Sequence, residues 1–142
     1  MSYATSDDLI ARFGQAQLLL LADRDNDGEL DDDVIAPAIV DAGDIVDLSL
    51  RGLYALPLSP VPSVIVGITC DLTRTRLYGQ STEVPESVLA ADRAARSLLA
   101  QIASGAVTLD AAPAPETSEG TGLDVETAGD APVFTFDKLK GF

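Results

Sequence analysis

The stretch from about Val34 to Tyr54 sets the frame for any fold of this chain. Ile35, Ala38, Ile39, Ala42, Ile45, Val46, Ser49, Leu50 and Leu53 recur at intervals of three and four, the pattern of one buried helix stripe. Asp41, Asp44 and Asp47 line the other side as a regular acidic face. At about 1.5 Å per residue such a helix is roughly 30 Å long, so shorter elements must pack along it as a spine. Pro37 cannot donate to the helical ladder and is expected in the first turn or at a bend.

The flanking segments read as further helices with clear punctuation. Thr5 and Asp8 form a capping-box-like pair that opens a first helix, closed at Gly14, with Leu9, Ile10 and Phe13 on its apolar face. A second short helix is expected from Gln15 to Leu21, where four consecutive leucines imply near-complete burial. The rigid break Leu56-Pro57-Leu58-Ser59-Pro60-Val61-Pro62 precedes a fourth helix from Ser63 to Tyr78. There Val64, Ile65, Ile68, Leu72 and Leu77 point inward, Asp71, Arg74 and Arg76 mostly outward, and Gly79 stops the helix. A fifth starts at Pro85 and ends at Gly105, with Val88, Ala91, Ala95, Leu98 and Ile102 as its stripe and Asp92 one turn from Arg96.

The expected fold class is therefore all-α: a compact bundle of about five helices with an extended C-terminal tail. At 142 residues the chain has length for one core. Aromatics are 5% and tryptophan is absent, so alanine, leucine, valine and isoleucine must build that core. Three parts are expected: a helical bundle over 1–105, a flexible acidic Pro/Gly-rich linker over 106–132, and a C-terminal docking segment over 133–142. All seven arginines precede the linker and both lysines follow it, as do three of the four phenylalanines. Phe134, Phe136, Leu139 and Phe142 on a flexible tether read as a docking peptide; folding back over the chain's own bundle is the alternative.

Several function classes are disfavoured by composition. A formal charge of −14 argues against a surface that grips nucleic acid or anionic membrane. It suits a surface that DNA passes without sticking, an acidic face for a basic partner, or simple solubility. With no histidine there is no imidazole base or metal ligand, and no glycine-rich loop carries a following lysine, so an enzyme is not expected. Cys70, alone in an apolar stretch, reads as a buried inert thiol. The N-terminus shows no secretory signal and no apolar run has the length of a membrane span, so a soluble protein made in the cytoplasm is expected.

The most specific local motif is Asp23-Arg24-Asp25-Asn26-Asp27-Gly28-Glu29-Leu30-Asp31-Asp32-Asp33, with seven carboxylates in eleven residues. Asp23, Asp25 and Asp27 occupy positions 1, 3 and 5 of a calcium loop, Gly28 the sharp turn, Glu29 the backbone-carbonyl position and Asp31 position 9. Position 12 wants a bidentate glutamate and is Val34. The loop therefore reads either as a calcium site that braces the turn or as a solvated acidic turn. No cofactor is required, and calcium is the one candidate ion.

The chain as a whole resembles the small head–tail connector proteins of Mu-like phages. The resemblance is carried by Tyr3-Ala4-Thr5, Asp8-Leu9-Ile10, Arg12-Phe13-Gly14, the loop Asp23-Arg24-Asp25-Asn26-Asp27-Gly28, and Tyr54-Ala55-Leu56-Pro57-Leu58 with Val61-Pro62. Cys70-Asp71, Arg76-Leu77-Tyr78-Gly79 and Phe136-Asp137 with Leu139-Lys140-Gly141-Phe142 continue it, in order, over essentially the whole chain. Asn26 stands where many relatives have glycine, and Arg51-Gly52-Leu53-Tyr54 is a mild departure before the leucine-proline pair. The resemblance implies a structural virion protein of the neck region, made in the cytoplasm of a bacterial host. It implies a homo-oligomeric ring, twelve-fold, that adapts the portal to a tail-side connector or tail terminator protein and lets DNA through without specific binding.

On that view the acidic helix faces line the channel, and Arg74, Arg76, Arg93 and Arg96 meet acidic residues of neighbouring subunits. The tail residues Phe134, Phe136, Leu139 and Phe142 reach the portal or an adjacent subunit. Two rivals remain: a calcium-stabilised binding module with an EF-hand-like loop, and an acidic DNA mimic that blocks a nucleic-acid-binding protein.

Overall fold

The computed structural model describes residues 2–79 and 83–115. Five helices form an all-α bundle: α1 Ser6–Phe13, α2 Gln15–Ala22, α3 Asp32–Leu50, α4 Ser63–Tyr78 and α5 Glu86–Ala103. Among the described residues there is no β-strand, only isolated bridges from Tyr54 to Arg51 and to Pro113. No helix among them is long and apolar enough to cross a membrane.

α3 is the spine, with α4 and α5 packed on it and α1 and α2 laid against α4. The Thr5–Asp8 capping box forms as expected: the Asp8 N–H donates to the Thr5 hydroxyl at 3.2 Å and the Thr5 N–H to the Asp8 carboxylate at 2.8 Å. α3 ends at Leu50, four residues before the expected end. The backbone turns out at Arg51, Gly52 takes a φ of 91°, and the N–H groups of Leu53 and Tyr54 fold back onto the Leu50 carbonyl. Leu53 leaves the stripe and is 41% exposed. Pro37 lies beyond the first turn, inside α3, and is exposed. The Asp33 carbonyl, which would have accepted its missing N–H, is on the same exposed turn, where water can replace the bond.

The core divides into two clusters along the bundle. One gathers Tyr3, Val46, Leu50, Leu58, Ile65, Ile68, Leu72, Leu99 and Ile102, where α3 ends, α4 begins and α5 ends. The other gathers Leu9, Leu18, Ala22, Ile35, Ile39 and Cys70, where α1 and α2 meet the opposite halves of α3 and α4.

Several side chains depart from the expected orientation. Of the four leucines in α2, Leu18 is fully buried but Leu20 is 87% exposed, because α2 packs against α1 and α4 and Leu20 lies on the side away from them. Val64 is exposed in the first turn of α4, and Leu99 is buried more deeply than Leu98 in α5. Thr69 and Thr73, absent from the expected stripe, are fully buried; their hydroxyls donate to the carbonyls of Ile65 and Thr69 one turn back, at 2.8 and 2.7 Å.

Past Ala103 the chain packs on the bundle to about residue 115. Val107, Leu109 and Ala111 pack against the first cluster. The Leu109 N–H donates to the Tyr54 hydroxyl at 2.9 Å, the Ala55 N–H to the Ala112 carbonyl at 2.9 Å, and the Ala114 N–H to the Leu53 carbonyl at 3.0 Å. The remainder of the expected linker and the segment 133–142, with Phe134, Phe136, Leu139 and Phe142, lie outside the described residues.

Candidate functional site: an acidic loop beside an arginine-lined cleft

The loop between α2 and α3 folds by turning its carboxylates onto its own backbone. Asp23 accepts the N–H groups of Asp27 (3.2 Å) and Gly28 (3.0 Å), and Asp25 also accepts from Asp27 at 3.2 Å. Asp27 accepts from Glu29 at 2.8 Å, and Asp31 from Arg24 at 2.7 Å. Asn26 (φ 60°) and Gly28 (φ 87°) supply the left-handed backbone the turns require, which these two residue types tolerate best. The Asp31 N–H closes the loop on the Ala22 carbonyl at 2.8 Å.

This arrangement brings ligand oxygens of Asp23, Asp25 and Asp27 within 4.8 Å of one another. Two oxygens on one calcium, each about 2.4 Å from it, lie at most roughly 5 Å apart, so the three carboxylates are spaced for a single cation. Glu29 and Asp31 stand outside this group; Asp31 is committed to the Arg24 backbone. Val34, at the twelfth position, packs in the apolar cluster and can give no ligand. Asp25 carries the cost of crowding. The Asp27 N–H lowers its pKa, but desolvation, the charges of Asp27 and Asp31 and a bond with Asp23 together raise it above the ordinary carboxylate value.

Beside the loop opens a cleft of about 660 Å3 between α2, the start of α3, the end of α4 and α5. Its charged lining is Arg24, Arg76 and Arg96 with Asp33, Asp41 and Asp92. Arg76 pairs with Asp41 at 3.0 Å and Arg96 with Asp92 at 2.8 Å. The other oxygen of Asp92 is buried with no hydrogen-bond partner among the described residues. Arg24 makes no side-chain ion pair among the described residues. Three of the chain's seven arginines thus meet at one place on a strongly acidic body.

The four arginines expected at a subunit interface are not together. Arg76 and Arg96 share the cleft. Arg93 pairs with Glu86 at 2.9 Å on an exposed face, and neither residue lines the cleft. Arg74 turns back into the protein, its guanidinium 4.2 Å from the centre of the Phe13 ring and its Nε buried. It joins α4 to α1 and is half-buried. Arg24, in the loop just after α2 and surrounded by acids, gives no signal in the sequence for its place in the cleft.

Motifs far apart in the chain meet at two further points. Arg12 grips Asp71 through two bonds, from Nε at 3.2 Å and a terminal nitrogen at 2.8 Å. That bond to Asp71 outweighs partial burial and raises the Arg12 pKa. The Tyr3 hydroxyl donates to Asp47 and accepts the Leu58 N–H at 3.3 Å. Burial first, then the bond to Asp47, pushes Tyr3 up to about 12. Asp47 is therefore half-buried, and the acidic face of α3 retains Asp41 and Asp44 at the surface.

Comparison with known proteins sets the chain among phage proteins. The sequence pattern of the family described as Bacteriophage Mu, Gp36 matches residues 3–126. Gene product J of Escherichia phage Mu is 33% identical over 147 aligned positions that cover 100% of this chain and 99% of the phage protein. The Mu-like prophage FluMu protein gp36 of Haemophilus influenzae is 31% identical over 146, covering 99% of this chain and 97% of that protein. The Thr5–Asp8 cap, the acidic loop, the Tyr3 and Arg12 anchors and the arginine cleft are thus features of a chain that belongs to the Bacteriophage Mu Gp36 family.

Proposed function

We propose that this chain is a structural virion protein, a head–tail connector whose copies form a ring between the portal and the tail. Membership of a Mu phage family over nearly the whole length supports the setting. The observation that carries the reading is the cleft where Arg24, Arg76 and Arg96 gather with Asp33, Asp41 and Asp92, a charge-balanced recess on a strongly acidic body. A ring is built by a heterologous contact, in which one patch of a subunit meets a different patch of the next. Guanidinium groups with unused N–H donors in a recess, and exposed carboxylates elsewhere, are such a complementary pair.

In this reading the ring is twelve-fold, with the portal on one side and a tail-side connector or tail terminator protein on the other. Exposed acids such as Asp44 face a lumen through which DNA moves without specific binding, since like charge keeps the duplex off the wall. The segment 133–142 joins the portal or a neighbouring subunit. Native mass spectrometry of the purified chain tests the reading: a closed ring is expected, and the Arg76→Glu, Arg96→Glu double variant should shift it to monomer. Phage that lack this protein should accumulate filled heads without tails. Particles that still join heads to tails would refute the connector role.

The spacing of Asp23, Asp25 and Asp27 favours a second, compatible property: calcium held in the loop as a brace for the α2–α3 turn. It predicts a rise in melting temperature with calcium over chelator that Asp25→Asn abolishes. An equal melting temperature in both conditions would leave a self-bonded acidic turn.

A further inference from the structure

The chain that follows α5 covers the end of the bundle where α3 stops. Gly105, at a φ of 79°, turns the backbone just past the α5 cap, and the Val107 N–H returns to the Gln101 carbonyl at 3.2 Å. From there half-buried and exposed residues alternate. Val107, Leu109 and Ala111 lie against the cluster that holds Leu50, Leu99 and Ile102, while Thr108, Asp110 and Ala112 are exposed. That alternation is the period of extended chain, with one face down on the core and one up in solvent.

This cover is held differently from the other segments around the bundle. Tyr3, Leu9, Leu18 and Leu58 each pin their own segment with a side chain at most 4% exposed. Residues 106–115 insert no fully buried side chain, and Asp110, their one charged residue, makes no ion pair among the described residues. Their ties run to three consecutive positions of the loop after α3. The Ala114 N–H donates to the Leu53 carbonyl at 3.0 Å, the Ala55 N–H to the Ala112 carbonyl at 2.9 Å, and the Leu109 N–H to the Tyr54 hydroxyl at 2.9 Å. Pro113 and Pro115 bring no N–H of their own. Beneath lie Leu50, Leu99 and Ile102, each at most 2% exposed. A deeply buried end of the core is thus covered by a lightly anchored segment.

We infer that residues 106–115 are a strap that lifts from the bundle as one unit, turning about Gly105, and uncovers Leu50, Leu99 and Ile102 while the five helices stay folded. A segment with few buried contacts, held by bonds near the surface, opens at a lower free energy than the whole domain. The three ties converge on residues 53–55, so a single opening releases them together. The loop beneath keeps its own anchors: the Leu53 N–H bonds the Leu50 carbonyl, and the Leu58 N–H bonds the Tyr3 hydroxyl. Closed, the strap seals the apolar end of the bundle; open, it presents that end to solvent. The inference goes beyond the connector reading and does not rest on it.

Amide hydrogen exchange on the full chain, resolved by residue in low urea, tests it. The N–H groups of Leu109, Ala114 and Ala55 should share one protection factor, at least tenfold below those of α3 and α4 and nearly independent of urea. Ala55 is decisive, because it belongs to the loop and its N–H is freed only when Ala112 leaves. The Leu58 N–H, on the same loop but held by Tyr3, should stay at least tenfold better protected. Tyr54→Phe removes the Leu109 tie alone, yet it should speed exchange at Ala55 and Ala114 as well. Ala55→Cys with Ala112→Cys, oxidised, should raise Leu109 and Ala114 to the protection of α3, and reduction should reverse this; the native Cys70 is buried and does not compete. Protection of these amides equal to that of α3 and lost only with global unfolding would overturn the strap. Three unrelated protection factors, or an effect of Tyr54→Phe confined to Leu109, would overturn its lifting as a unit.

Discussion

The two halves of the core are closed in different ways. At the end where α3 stops, the cover is apolar and neutral: residues 107–114 fold over Leu50, Leu99 and Ile102, and two tyrosine hydroxyls hold loop backbone at Leu58 and Leu109. At the other end the cover is ionic. The acidic loop, the arginine cleft and the Arg12–Asp71 bond ring the cluster around Leu18, Ile35 and Cys70. The first closure depends on shape and buried hydrogen bonds, which salt leaves alone; the second depends on exposed charge, which salt screens.

Truncation of a core leucine gives the largest effect and asks whether the halves melt together. Leu50→Ala and Leu18→Ala, one in each cluster, should each cost about 2–5 kcal/mol in urea unfolding. A single transition shared by circular dichroism and tyrosine fluorescence would make the bundle one cooperative unit. Two transitions would divide it along the boundary between the clusters.

Tyr3→Phe comes next, at about 1–3 kcal/mol, because it strands the Leu58 N–H and removes the proton that Asp47 accepts. The same hydroxyl makes stability depend on alkaline pH. Tyr3 is neutral when protonated, and folding raises its pKa from 10.0 to about 12. Below pH 10 its contribution is complete; between 10 and 12 the unfolded chain sheds the proton first, so stability falls. In the other half, burial raises the Cys70 thiol from 9.0 to about 11, which places its loss between pH 9 and 11. Denaturation against pH should show both losses, the earlier one absent in Cys70→Ala and the later one in Tyr3→Phe.

Arg12→Lys sharpens the ionic side of the comparison. Lysine cannot make the two-pronged bond to Asp71, and with Arg12 46% exposed the cost should be only about 0.5–1 kcal/mol, shrinking in molar salt. Arg96→Gln should cost a similar amount, about 0.5–1 kcal/mol, because Arg96 is 52% exposed while its partner Asp92, one turn away, is only 14% exposed. On the proposed connector reading its effect on ring assembly should be larger than on melting, which separates partner contact from stability.

Much of the fold was legible because its signals are local. The Thr5–Asp8 cap, Gly14 between α1 and α2, and the bounds of α4 at Ser63 and Tyr78 follow from rules that act within a few residues. The candidate cation loop was legible for the same reason, since Asp23, Asp25 and Asp27 converge within one turn of chain. Orientation was less legible. The leucine run in α2 suggested burial, yet which side of a short helix faces a neighbour depends on how many neighbours it has, and Leu20 has none. Residues 107–114 looked like linker because alanine, proline and single apolar residues without a period carry no helical signal; they are held by backbone bonds to Leu53 and Ala55 and by the Tyr54 hydroxyl.

By itself, then, the sequence determined the helices, their caps and breaks, the acidic turn and the kinship with phage proteins, because each is encoded in short-range spacing or in colinear order. Only the tertiary structure decided which charges meet. Arg24 joins Arg76 and Arg96 across three segments, Arg74 withdraws onto Phe13, and Asp47 leaves the acidic face for Tyr3. A charge placed by sequence on a helix face has many partners within reach of its side chain. Packing of the helices selects one, through distance and burial that no spacing rule contains.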